Sequence, residues 1–190
     1  MLKQISNPHD LLVEKLAKLE AAEQTVSQLV PKLEQSVSEH SLKDIISLFR
    51  KQSTQRISRI GEAKGQLKVQ VESEISSAFE GLVEEVNSFL NYQTKGALND
   101  LGLLPYFQKM LGYLVTDYSY VTNLAYVNKI DSKVQQLFKQ SYSQLQDLSK
   151  QTSSTAEEIL KKLQSERGKS QNQKKEQKKS QEKKEQKKRR

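Results

Sequence analysis

Residues 11–36 read LLVEKLAKLEAAEQTVSQLVPKLEQS, and this stretch decides the fold. Within it Leu12, Leu16, Leu19, Glu23, Val26, Val30 and Leu33 step by four and three, so six aliphatics and one carboxylate share a single helical seam. Such a seam is the face that a bundle helix buries. A buried carboxylate is costly unless it is paired, protonated or liganded, so Glu23 marks either a site or a deliberate polar contact.

Outward from this stretch the chain reads as further helices. Asn7-Pro8, with Asp10 near the positive end of the dipole, starts the first helix, which runs to about residue 38 with a kink or adjusted turn at Pro31. Ser41-Leu42-Lys43-Asp44 reads as a capping-box variant opening a second helix, whose apolar positions are Leu42, Ile45, Ile46, Phe49, Ile57 and Ile60. Its middle, from Gln52 to Arg56, is polar, and Gly61 and Gly65 weaken its end. The short alternation Leu67, Val69, Val71 lacks a strand partner and is expected to be a connection. A third helix is predicted over 74–92, a loop over 95–100, and a fourth helix from near Pro105 carrying Phe107, Leu111, Leu114, Tyr118, Val121 and Ala125. A fifth carries Val134, Phe138, Ser141, Leu145 and Leu148, and a short helix over 155–165 ends at Arg167-Gly168. The expected class is all-α, an antiparallel four-helix bundle with one additional short helix.

Charge divides the chain in two. The formal net charge is +8, and residues 169–190 hold 11 Lys/Arg against 3 Glu, which accounts for the whole excess and leaves the body with 20 of each sign. This gives an expected helical domain over 1–168 and a lysine-rich tail over 169–190. The tail, KSQNQKKEQKKSQEKKEQKKRR, has no apolar residue with which to offset its ordering entropy, so it is read as disordered or transiently helical. Lys174, Lys175, Lys178, Lys179, Lys183, Lys184, Lys187, Lys188, Arg189 and Arg190 are its candidate polyanion-binding residues. Without interleaved aromatics they would neutralise phosphates through counterion release and not read sequence. Absence of cysteine excludes thiolate catalysis and Cys-ligated metal, and no run approaches membrane-spanning length, so a cytoplasmic protein without integral membrane association is expected.

The body resembles the YciE/YciF-like family of ferritin-like proteins associated with bacterial stress responses. Leu11-Leu12, Leu16, Leu19, Ala22-Glu23, Leu29 and Pro31-Lys32-Leu33 are similar to its opening helix. Phe79-Glu80-Gly81-Leu82-Val83-Glu84-Glu85 resembles its Met-Glu-Gly-Leu-Ile block, and Gln108-Lys109 with Tyr113 and Tyr118 resembles its fourth helix. The resemblance implies a ferritin-like bundle in which carboxylates converge on a dinuclear iron or manganese site. Glu23 and Glu80 stand at matching positions and are the metal-ligand candidates, read as remnants. Elsewhere the pattern breaks: Gln52, Leu111, Leu114, Gln144 and Leu145 stand where the resemblance implies acids, and Phe49 where it implies a histidine.

Two carboxylates do not hold two hard metal ions firmly, so the expected function is a non-catalytic ferritin-like bundle with a degenerate metal site and no cofactor. It would act by association, as a homodimer or larger assembly, with the tail contacting nucleic acid or another polyanion without sequence preference. The alternative is a di-iron or di-manganese carboxylate protein, ferroxidase-like or iron-handling, with an altered ligand set. Five of the seven tyrosines lie between residues 106 and 126, expected mainly as core packing, and Tyr118 is the candidate donor to Glu23 or Glu80. No G-x-S-x-G, phosphate-cradling glycine loop or H-E-x-x-H is present.

Overall fold

A computed structural model of the chain describes residues 5–92 and 95–188, with side chains through residue 165. Five helices follow in order: α1 (Pro8–Ser36), α2 (His40–Leu67), α3 (Ser77–Leu90), α4 (Gly96–Val127) and α5 (Ser132–Lys188). Helix α1 opens where the sequence signals it, with the Asn7 side chain accepting from the Asp10 amide at 2.9 Å. It remains helical through Pro31.

Cross-helix bonds fix the topology. Asn99, at the start of α4, donates to the Ser36 carbonyl at the end of α1, so these two helices run antiparallel. Arg59 meets Gln144 while Glu39 meets Lys162, so α2 and α5 are antiparallel as well. Short connections join α1 to α2 and α4 to α5, leaving α2 parallel to α4 across the bundle. Successive bundle helices that run parallel need one long crossover, and residues 68–95 supply it, with α3 as its helical part.

The crossover helix is held against α4. Ser76 Oγ lies 2.6 Å from the Tyr113 hydroxyl, Phe79 packs on the Tyr113 ring, and Phe89 rests over Gly102. A Cβ at Gly102 would lie 2.2 Å from Phe89 Cζ, so glycine is what lets the ring approach the α4 backbone. Before α3, Lys64 reaches Glu20 and the Val71 carbonyl, and Ser73 donates to Glu20, tying the 68–76 connection to the bundle.

Three expectations about element boundaries are corrected. The 95–100 loop is the first turn of α4, and Pro105 lies inside that helix. The separate 155–165 helix does not exist: α5 continues past Arg167 and Gly168 to Lys188. Its outer face carries little apolar surface, but Ile159 and Thr155 still pack on the bundle, so no break separates the two predicted segments. Ser41 does not cap α2; the helix begins at His40, and its cap residue Glu39 makes no side-chain capping bond. The turn leading into α2 is held instead from α4, where the fully buried Asp100 carboxylate accepts from the amides of Ser38 at 2.9 Å and Glu39 at 2.6 Å. Among the described residues no helix is long and apolar enough to cross a membrane.

Candidate functional site: a buried ion pair at mid-bundle

Glu23 is fully buried, and so is Arg56, in the polar middle of α2. The spacing that buries Arg56 is in the sequence: Phe49, Ser53, Arg56 and Ile60 step by four, three and four, and all four are buried. The arginine Nε donates to Glu23 Oε1 and its Nη2 to Oε2 at 3.2 Å, a forked geometry in which each carboxylate oxygen takes one N–H. Ser53 Oγ, one turn earlier on α2, donates to Oε2 at 2.7 Å. Beneath the guanidinium lies the Phe49 ring, 5.2 Å from Cζ to centroid, whose own edge contact with Phe107 joins the pair to the apolar core.

Two more helices complete the layer. Tyr118 of α4 is fully buried, and burial first, then the Glu23 charge, pushes its phenol well above the ordinary tyrosine value, so the hydroxyl keeps its proton. A hydrogen bond to the Glu23 carboxylate contributes to that rise, while the Arg56 and Arg59 charges oppose it. On the α2–α5 seam Arg59 donates to Gln144 Oε1 at 2.7 Å and to the buried Ser141 hydroxyl at 3.3 Å. Arg56 Nη1 and Gln52 Oε1 are buried without a partner.

The candidates read from the sequence are not brought together. Glu80 is exposed in the first turn of α3, on the crossover, and shares no bond with the buried Glu23. Of the partners expected for Glu23, Glu80 lies elsewhere and Tyr118 stands beside it, while its closest donors are Arg56 and Ser53. Sequence inspection missed both, because the stretch from Gln52 to Arg56 is polar throughout and looks solvated until its phase is counted from Phe49. The tyrosines divide: Tyr118 is core, while Tyr120 and Tyr126 are exposed. The polyanion candidates from Lys174 to Lys188 lie on the α5 backbone, but their side chains, and Arg189 and Arg190 altogether, lie outside the described residues.

The donor chemistry does not fit a dinuclear metal. Both oxygens of Glu23 are engaged by N–H and O–H donors, a guanidinium already supplies the positive charge with the Phe49 ring against it, and Leu111, Leu114 and Leu145, where acids were expected, are buried in the apolar core. Among the described residues no group of three or more histidines and carboxylates is arranged to hold a metal ion.

Comparison with known proteins places this bundle. The E. coli stress protein YciF superposes with a TM-score of 0.78 at 20% identity, covering 83% of this chain and 99% of that one. YcfI of Rhodopseudomonas palustris gives 0.74 at 16%, covering 80% and 97%. At these identities the likeness is one of fold. No curated protein matches the chain by sequence. The family profile described as "Domain of unknown function (DUF892)" matches residues 7–178, and the chain, whose described residues form five helices in the fold of YciF, belongs to that family.

Proposed function

We propose that this chain is a ferritin-like bundle that works without a resident metal, by association rather than catalysis, in a bacterial stress setting like that of its structural relative YciF. One observation carries the reading: at mid-bundle the lone buried carboxylate of α1 is neutralised by Arg56, an internal cation that cannot dissociate or change redox state. A second copy of the chain in the cytoplasm is the proposed partner of the body. The extension over 169–190, with net charge +8, is proposed to hold a polyanion such as nucleic acid through counterion release. The alternative, a di-iron or di-manganese protein, would require Glu80, which lies exposed on α3.

Anaerobic titration of the full-length protein with ferrous or manganous ion tests the first part. The expected result is no stoichiometric binding; near-stoichiometric binding that is lost in Glu23→Ala overturns it. Truncation after Gly168 tests the second. Duplex DNA affinity, steeply salt-dependent in the full chain, is expected to vanish, and affinity that survives the deletion removes the extension from consideration.

A further inference from the structure

Helix α4 presents an outer face without charge. Between Lys109 and Lys129 its one charged residue is Asp117, whereas α2 over a similar span, from Lys43 to Lys64, carries Asp44, Arg50, Lys51, Arg56, Arg59 and Glu62. Asp117 is half-buried and bonded to the Tyr113 hydroxyl, so it does not stand on the open face. Gly112, Thr116, Tyr120, Asn123, Tyr126 and Val127 do, one after another along the exposed side. Tyr120 is 45% exposed, Tyr126 75% and Val127 62%. A bundle helix ordinarily turns charged residues to solvent, and exposed aromatic rings among few charges are the composition of a contact surface. Two clefts of about 690 and 780 Å³ adjoin beside α4, sharing Asn123 and Tyr142, so this face borders one continuous groove. Gly112 is a separate observation. It lies inside α4, where glycine weakens a helix, and a Cβ there would meet nothing within 4 Å, so packing within the chain does not account for it.

We infer that two copies of this chain meet through this face, α4 against α4 in antiparallel order, with Thr116 on the two-fold axis. Shape sets the register. Gly112 and Tyr120 lie four residues to either side of Thr116, and Tyr113 and Ser119 three, so this axis puts each tyrosine of one copy against a small residue of the other. Charge selects a second copy as the occupant. In a two-fold contact every position near the axis meets its own kind, so a stripe of one charge would repel itself, whereas an uncharged stripe complements itself. A nucleic acid or an acidic partner would require cations, and the stripe from Gly112 to Val127 has none. This contact rests on the reading of a second copy as the partner of the body, and gives that reading a face.

Sedimentation velocity of the full-length protein over a concentration series provides the test, and the expected result is a transition from monomer to dimer. Thr116→Glu and Thr116→Lys each set like charges against one another on the axis. Each alone is expected to weaken the dimer at least about tenfold, and an equimolar mixture of the two is expected to recover it. Gly112→Leu fills the space for Tyr120 while suiting the helix better, so it is expected to keep or raise the Tm of the dilute monomer and to lose the dimer. A chain that stays monomeric throughout overturns both the contact and the second-copy reading. A dimer that all three substitutions leave unchanged overturns this face alone, and the second copy then docks elsewhere. If both Thr116 variants dissociate and their mixture stays dissociated, the axis at Thr116 is overturned.

Discussion

Glu23 and Asp100 are both fully buried carboxylates, 77 positions apart and on facing helices, and they are satisfied in opposite ways. Asp100 accepts backbone amides, from Ser38 and Glu39, at the corner where α1 turns into α2. Glu23 accepts side chains, from Arg56 and Ser53, at the middle of the bundle. Backbone amides exist whatever the sequence, so a carboxylate that caps them needs only position. A side-chain partner must be encoded, and encoding a buried arginine commits a whole layer of the core to charge. Asp100 thus does structural work at a chain reversal, whereas Glu23 and Arg56 define what the interior can and cannot bind.

The contrast can be broken most severely at Arg56. Arg56→Ala leaves Glu23 buried without its counter-charge and is expected to destabilise the fold by about 3–5 kcal/mol in denaturant unfolding. The double change Glu23→Leu with Arg56→Met keeps volume while removing both charges, and is expected to lie within about 1 kcal/mol of the parent or above it. If the double variant is as unstable as the single one, the layer contributes through more than this pair.

Asp100→Ala comes next. It strips two amides at the start of α2 of a charged acceptor, and a loss of about 2 kcal/mol is expected, within the range of helix-cap deletions. The loss should appear as early hydrogen exchange at residues 38–42 and leave the middle of α2 protected. Uniform loss of protection would show that the corner and the layer unfold as one unit.

A third acid sharpens the comparison by having neither kind of full satisfaction. Asp117 of α4 is half-buried, and burial raises its carboxyl above the ordinary value against the opposing pull of Lys15 and the Tyr113 hydroxyl. A folded-state pKa above the unfolded one means that ionisation favours unfolding: the penalty is absent below the ordinary carboxylate range and complete above the raised value. Asp117→Asn is therefore expected to raise Tm modestly at neutral pH, with the gain disappearing in acid. A gain that is independent of pH would place its cause outside this titration.

The seam of α1 was legible because a period of four and three admits only one face, and Glu23 stood out by interrupting it. Its partner was not, because Ser53 and Arg56 look like surface residues in a polar stretch; only their phase relative to Phe49 and Ile60 puts them inside. Asp100 was hidden for another reason. Residues 95–100 contain Gly96, Asn99 and Asp100, types that mark loops, and nothing local reveals that the Asn99 and Asp100 side chains clamp the end of α1 and the start of α2. Pro105 and Gly168 misled in the same manner: each punctuates a helix in isolation, and each lies within one here. The resemblance through Glu80 matched a sequence block and not a location, since the crossover carries α3 with that side chain in solvent.

Topology also bears on the order of assembly. Glu23, Ser53 and Arg56 all belong to the α1–α2 hairpin, whose two helices are joined by three residues, whereas the lid over them comes from α4 and α5 after a crossover of nearly thirty. The charges can therefore meet while still wet, within a local hairpin of low loop-closure entropy, and be dehydrated together when the second hairpin docks. Neither ion has to cross into the interior alone, which removes the steepest electrostatic barrier from the folding of a bundle with a charge at its centre.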